Sequence, residues 1–234
     1  MVRKKTVGVL GGMGPEATVD FMATVVAMTP ASTDQDHVHM IVDNDPSIPP
    51  RQDALLRAGA DPGPAMADMA RRLQSVGADF LVMPCNTAHA YSKAVTAVVG
   101  IPLLSIIDVT VAACRDYEAV GLLTTEGCFR SGIYQEALQA LGKEPVLPTA
   151  DELSEFTDLV FCIKQGDKSE PVRKGMLRMI DALQARGAQA IIAGCTEIPL
   201  VIDKTMSSVP LVSSTDELAR QTIAFARGVS AIAT

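Results

Sequence analysis

The chain is 234 residues long, 48% hydrophobic and 4% aromatic with no Trp, which is enough apolar material for one large domain or two small ones. A formal charge of −7, no basic cluster beyond Arg3-Lys4-Lys5 and the scarcity of aromatics count against a nucleic-acid partner. No run approaches the ~18 apolar residues of a membrane span, and five cysteines without a CxxC pair read as free thiols in a reducing cytoplasm.

Short apolar runs alternate with amphipathic stretches along the whole chain. In chain order, strands are predicted over 6–10, 38–42, 79–83 and 102–106, then over 119–123, 145–147, 189–193 and 209–212. Helices are predicted over 15–28, 62–76, 87–98 and 108–116, then over 130–141, 151–163, 169–186 and 214–229. Phe80-Leu81-Val82-Met83 and Ala190-Ile191-Ile192-Ala193 are continuously apolar, as strands covered on both faces are. The alternation predicts an α/β fold with doubly wound, mainly parallel sheets, four strands per half. The last helix opens with Ser214-x-x-Glu217, the pattern of a capping box. It lies beyond the second half and is expected to pack back on the first. The start, Arg3-Lys4-Lys5 and then Thr6 to Leu10, has the outline of a secretion signal. Its apolar stretch is too short, and Glu16 comes soon after.

The two halves echo each other. Val7-Gly8-Val9-Leu10 recurs as Val120-Gly121-Leu122-Leu123, 113 residues later. Ile101-Pro102-Leu103-Leu104-Ser105 recurs as Val209-Pro210-Leu211-Val212-Ser213 at an offset of 108, and Cys85 recurs as Cys195 at an offset of 110. Constant order at nearly constant offset implies an internal duplication. The halves are expected at 1–99 plus 213–234, carrying Cys85, and at 100–212, carrying Cys195. Pseudo-symmetric halves with one thiol each can offer both thiols to a cleft between them. That suits a reaction needing a base on one side of a carbon and an acid on the other.

Most free cysteines are buried packing residues. These two differ because each comes after a strand, precedes a helix start and is trailed by small polar residues, Asn86-Thr87 and Thr196-Glu197. A helix N-terminus lowers a thiol pKa and supplies N–H donors for a carboxylate. Cys114, Cys128 and Cys162 have no counterpart in the repeat and default to packing on this reading. Gly12-x-Gly14-x-x-Ala17 fits a dinucleotide fingerprint formally, which keeps a nicotinamide oxidoreductase open as a rival. The acidic residue that such a fingerprint needs downstream is not in place, and a tight loop approaching a small anion is the preferred reading. Asp34-Gln35-Asp36-His37-Val38-His39, with Cys85 and His89, holds metal-ligand residue types, but spacing does not assemble a ligand set. Arg51, in the Pro/Gly-rich stretch 44–64, and Lys164 read by themselves as surface charges.

Four segments carry a family resemblance: Leu10-Gly11-Gly12-Met13-Gly14-Pro15-Glu16-Ala17-Thr18, Pro46-Ser47-Ile48-Pro49, Met83-Pro84-Cys85-Asn86-Thr87-Ala88-His89 and Gly194-Cys195-Thr196-Glu197-Ile198-Pro199. In order and over nearly the whole chain they resemble the aspartate/glutamate racemase family. The resemblance implies two similar α/β halves with the site between them, a homodimer, and chemistry without pyridoxal phosphate or metal. It implies Cys85 and Cys195 as the catalytic acid/base pair. It raises Arg51 and Lys164 to carboxylate binders, and Met13, Asn86, Thr87, Thr125, Cys128 and Thr196 to substrate contacts. Glu197 stands where the glutamate racemases of cell-wall synthesis resemble Gly-Cys-Thr-His, so the chain looks like the aspartate racemase branch. Cys128 stands where the family commonly has Thr, which bears on substrate choice. The expected ligand is an acidic amino acid or dicarboxylate; a related cysteine-dependent isomerase is the nearest alternative.

Overall fold

The computed structural model describes residues 4–229. The chain divides into two compact units, Met1–Ile106 with Thr215–Thr234, and Ile107–Ser214.

The first unit is built on β1 (Val7–Gly11), β2 (Met40–Asn44), β3 (Phe80–Val82) and β4 (Leu103–Leu104). They form a wholly parallel sheet in the order β2-β1-β3-β4. Every residue of β1 and β3 is buried, as their unbroken apolar runs require, whereas β2 lies at an edge and is only partly covered. The helices are α1 (Pro15–Met28), α2 (Arg51–Leu56), α3 (Gly63–Ser75) and α4 (Ser92–Thr96). Pro15 sits at the first turn of α1, where its missing N–H costs nothing. Helix α3 drives Met66, Met69 and Leu73 into one cluster with Leu10, Leu81 and Met83.

The second unit repeats the plan. Its strands β5 (Ala119–Leu123), β6 (Glu144–Val146), β7 (Ala190–Ala193) and β8 (Leu211–Ser213) pair in parallel in the order β6-β5-β7-β8. Its helices are α5 (Ile106–Ala112), α6 (Glu126–Arg130), α7 (Ile133–Ala140), α8 (Ala150–Lys164) and α9 (Glu170–Ala185). Helix α8 starts at a reciprocal cap: Thr149 Oγ1 accepts from Glu152 N, and Glu152 Oε2 accepts from Thr149 N. Phe156, Val160, Met176 and Ile180 close its core against Ile191. The duplicated sequence thus yields two sheets of identical strand order.

The final helix, α10 (Ser214–Ala226), belongs from Thr215 onward to the first unit. Phe225 meets Phe80 edge-on at 4.7 Å between ring centroids, and Lys5 Nζ stands 3.5 Å over the Phe225 ring. The sequence pattern predicts Ser214 as the residue before this helix. It is instead the first helical residue, and its Oγ donates to Ala193 O at 2.9 Å, tying the helix start to the end of β7.

Three local expectations change. The predicted helix over 87–98 is a 3-10 turn (Thr87–Tyr91) and then the short α4. The long loop 44–64 contains α2. The helix predicted over 130–141 is α7, which begins only at Ile133 and follows a separate short helix, α6, that ends at Arg130. Gly132, with φ of +74°, separates those two helices.

Gly12 has the strictest backbone demand in the first unit. Its φ is +89°, and a Cβ there would lie 2.1 Å from the carbonyl oxygen of Asp45. Gly12→Ala is expected to destabilise the fold by about 3 kcal/mol, from left-handed strain plus overpacking. Thermal unfolding reads this; an unchanged midpoint would show that the β2 end yields to the methyl group.

Candidate active site

Both sheets reverse their strand order between two central strands, β1 and β3 in one and β5 and β7 in the other. In open α/β sheets the crevice beyond the carboxyl ends of such strands is where ligands bind. The Gly12–Met13 turn comes after β1 and Cys85 after β3. Thr125 comes after β5 and Cys195 after β7. Each thiol therefore leaves the third strand of its unit at the same topological point.

In the first unit, Cys85 is 6% exposed and packs in one cluster with Met13 and Ile48. Its N–H donates to Met83 O at 2.8 Å, a tight turn across Pro84. Asn86 is buried and Thr87 half-buried at the start of the 3-10 turn. Arg51 opens α2, which packs against that turn. Its Nη1 donates to Ile48 O and Pro49 O, both at 3.1 Å, which fixes the guanidinium on its own loop. Arg51 is half-buried and pairs with no carboxylate among the described residues. Its charge reaches Tyr91, whose hydroxyl is pushed up chiefly by burial and then by Asp61, with Arg51 opposing.

In the second unit, Cys195 is 7% exposed and Glu197 4%. The Cys195 Sγ donates to Glu197 Oε2 at 3.0 Å, and Thr196 Oγ1 donates to the same oxygen at 3.4 Å. The other carboxylate oxygen pairs with Lys164 Nζ, from the last turn of α8. Lys164, Glu197 and Cys195 thus form a chain of cation, anion and thiol. Thr125 and Cys128, buried at the start of α6, lie beyond β5. Glu126 N donates to Thr157 Oγ1 at 3.0 Å, which pins α6 to α8.

The electrostatics of Cys195 depart from the expected lowering of its pKa. Burial pushes this thiol well above its ordinary value; the Glu197 carboxylate adds to that and the Lys164 ammonium opposes it. The chain beyond Cys195 forms a single 3-10 turn, Ile198–Leu200, too short to act as a helix dipole, while a buried carboxylate stands in contact with the thiol. Glu197 was legible in sequence as one of the polar residues after Cys195 and as a departure from a relative's motif; its contact with the thiol carries no sequence signal of its own.

The remaining motifs resolve into local structure. Gly12 N donates to Thr18 Oγ1 at 3.0 Å, and Thr18 Oγ1 donates to Gly14 O at 2.9 Å, so this loop closes on itself. Neither a small anion nor a pyrophosphate finds the Gly12 N–H unengaged. Asp36 accepts from Ser32 N, Thr33 N and Thr33 Oγ1, all at 3.1 Å, and these bonds hold its carboxyl below the usual value. His39 Nδ1 meets Thr6 Oγ1 at 3.2 Å. Among the described residues no group of three or more His, Cys, Asp or Glu stands together as metal ligands do. None of the described helices is long and apolar enough to cross a membrane.

The sequence matches the Asp/Glu/Hydantoin racemase family over residues 10–222. It is 28% identical over 227 residues to the broad specificity amino-acid racemase RacX of Bacillus subtilis (strain 168), covering 93% of this chain and 96% of that protein. The structure resembles the Picrophilus torridus aspartate racemase with a TM-score of 0.86 and 32% identity, over 95% of this chain and 94% of that one. It also resembles a putative Asp/Glu racemase from Yersinia pestis with a TM-score of 0.79 and 26% identity, over 95% and 99% of the two chains.

Proposed function

The chain belongs to the Asp/Glu/Hydantoin racemase family, and from that premise we propose that it interconverts L- and D-aspartate by a two-base mechanism using Cys85 and Cys195, without pyridoxal phosphate or metal. The observation that carries the reading is the equivalence of the two thiols. Each leaves the third strand of a sheet with the same strand order, buried, at a topological switch point.

One thiolate takes the α-proton and the other cysteine, as thiol, returns a proton to the opposite face. For the reverse direction the two protonation states exchange. Burial and then the Glu197 carboxylate favour the thiol form of Cys195, which suits it to the donor role in one direction of the reaction. The α-carbon is a very weak acid, so charge must be stabilised on the substrate carboxylate as it develops. Preorganised donors of this kind are typically worth about 3–4 kcal/mol each. Asn86, Thr87, Thr125 and Thr196 are the polar groups beside the two thiols that suit this role, with Met13 and Cys128 shaping the walls. Five free cysteines suit a reducing cytoplasm.

Aspartate is favoured over a monocarboxylate because Arg51 is a half-buried cation held by backbone carbonyls and without a carboxylate partner among the described residues. Arg is built for a bidentate carboxylate grip. Lys164 is the second carboxylate contact in this reading, its ammonium shared with Glu197. Arg51→Ala is expected to weaken succinate binding roughly 10- to 200-fold, the equivalent of about 1.5–3 kcal/mol for a charge-assisted bond. Arg51→Lys should restore part of it. Equal affinities by titration calorimetry would remove the dicarboxylate reading.

The reaction itself is tested by incubating the protein with single enantiomers of aspartate, glutamate and alanine in deuterium oxide. Loss of the α-proton signal from aspartate, with appearance of the opposite enantiomer and no added cofactor, is the expected result. Exchange from glutamate or a wide panel at equal rates would replace aspartate by a broader specificity. No exchange from any of them would end the racemase reading.

A further inference from the structure

Resting on the cysteine-pair reading, we propose that His89 is a positioning residue for Cys85, clamping the Cys85 carbonyl so that its thiol is held on line with the substrate α-carbon. His89 is 5% exposed, and a buried imidazole has to be satisfied at both nitrogens. Ile106 N donates to Nε2 at 3.2 Å. A backbone N–H can only donate, so Nε2 is the acceptor and Nδ1 carries the ring proton. Nδ1 lies 2.9 Å from Cys85 O and donates to it. The ring is therefore neutral, with its tautomer set by its neighbours. It joins the Cys85 turn to Ile106, the first residue of α5, where the chain leaves the first unit. With both nitrogens engaged, His89 is not a metal ligand for the nearby thiol.

The Cys85 peptide is held from both sides. Its N–H is tied to Met83 O at 2.8 Å and its carbonyl to His89. The thiol direction then depends on one side-chain torsion. A general base has to lie within about 2.6–3.2 Å of the proton it takes, and a displacement of about 1 Å costs on the order of 100-fold in rate. The second unit holds its thiol differently. The residue four beyond Cys195 is Pro199, Cys195 O accepts from Ile198 N at 3.1 Å, and the thiol is fixed by Glu197. The imidazole clamp thus serves one cysteine of the pair, and its loss should affect one half-reaction.

The experiment compares His89→Asn and His89→Gln with the wild type. An Asn amide can donate from the place of Nδ1; a Gln amide reaches the place of Nε2 and leaves Cys85 O unpaired. Four quantities are read: kcat and KM, α-proton exchange of each enantiomer separately, iodoacetamide labelling of Cys85 relative to Cys195 by peptide mass spectrometry, and thermal unfolding. His89→Gln should lower kcat on the order of 10- to 100-fold with KM unchanged. It should slow exchange of one enantiomer and change the Cys85 to Cys195 labelling ratio, while His89→Asn recovers most of each. Equal behaviour of the two variants, or equal slowing of both enantiomers alongside a lower unfolding temperature, would overturn the clamp. If the wild type exchanges neither enantiomer, the racemase reading fails. The labelling ratio still decides whether His89 sets the Cys85 thiol.

Discussion

Serine in place of either Cys85 or Cys195 is expected to lower aspartate racemisation by on the order of 10²- to 10⁴-fold, the contribution of one positioned acid or base. Serine is nearly isosteric, so the buried sites at 6% and 7% exposure stay filled and the fold should survive. What changes is acidity, since a thiol ionises near pH ~8.5 and an alcohol does not ionise in any useful range. The two variants should differ in what remains. Cys195→Ser keeps the base assigned to Cys85 and should still exchange the α-proton of one enantiomer. Cys85→Ser should still exchange the other. Cys114→Ser is the control: that thiol is fully buried and donates to Thr110 O at 3.5 Å, a bond a hydroxyl can also make. Polarimetry and deuterium exchange on the three variants suffice. Near wild-type racemisation by Cys85→Ser or Cys195→Ser would end the two-base reading. Loss of activity in Cys114→Ser would show that the buried second-unit core governs the chemistry.

The scaffold was legible because its signals are local. Runs such as Ala190–Ala193 are apolar at every position, as parallel strands covered on both faces are. The repeat supplied the rest, since equal strand order in the two sheets mirrors the echoed segments. The cysteine positions were legible for the same reason. What escaped was how buried polar groups find their partners. His89 turns inward to the Cys85 carbonyl, and the chain over 87–91 tightens into a 3-10 turn where periodicity predicted a helix. Glu197 reads as an ordinary charged residue of a helix start, yet it is buried because Lys164 arrives from α8, 33 residues away in sequence. The expected lowering of the thiol pKa failed on that point. A helix-end argument counts backbone dipoles and misses the burial of the thiol and the carboxylate that lies against it two residues along the chain.

The triad of Lys164, Glu197 and Cys195 yields the sharpest electrostatic prediction. Burial is the largest influence raising the Cys195 pKa; Glu197 comes next in the same direction, and Lys164 pulls the other way. Removing the anion and removing the cation must therefore move the thiol in opposite directions. In Glu197→Gln the onset of Cys195 labelling by iodoacetamide should shift to lower pH. In Lys164→Met it should shift to higher pH, because the thiolate loses its compensating charge while Glu197 remains. Racemisation should fall in both. In Glu197→Gln the loss should be on the order of 100-fold, since the carboxylate that accepts the Cys195 S–H also fixes its direction. The two pH shifts separate this reading from a general loss of structure, which would expose the thiol and move both variants towards the ordinary value. Peptide mass spectrometry across a pH series resolves Cys195 from the other four cysteines. Shifts of the same sign in the two variants would mean that burial alone sets this thiol and that the ion pair has no part in its protonation.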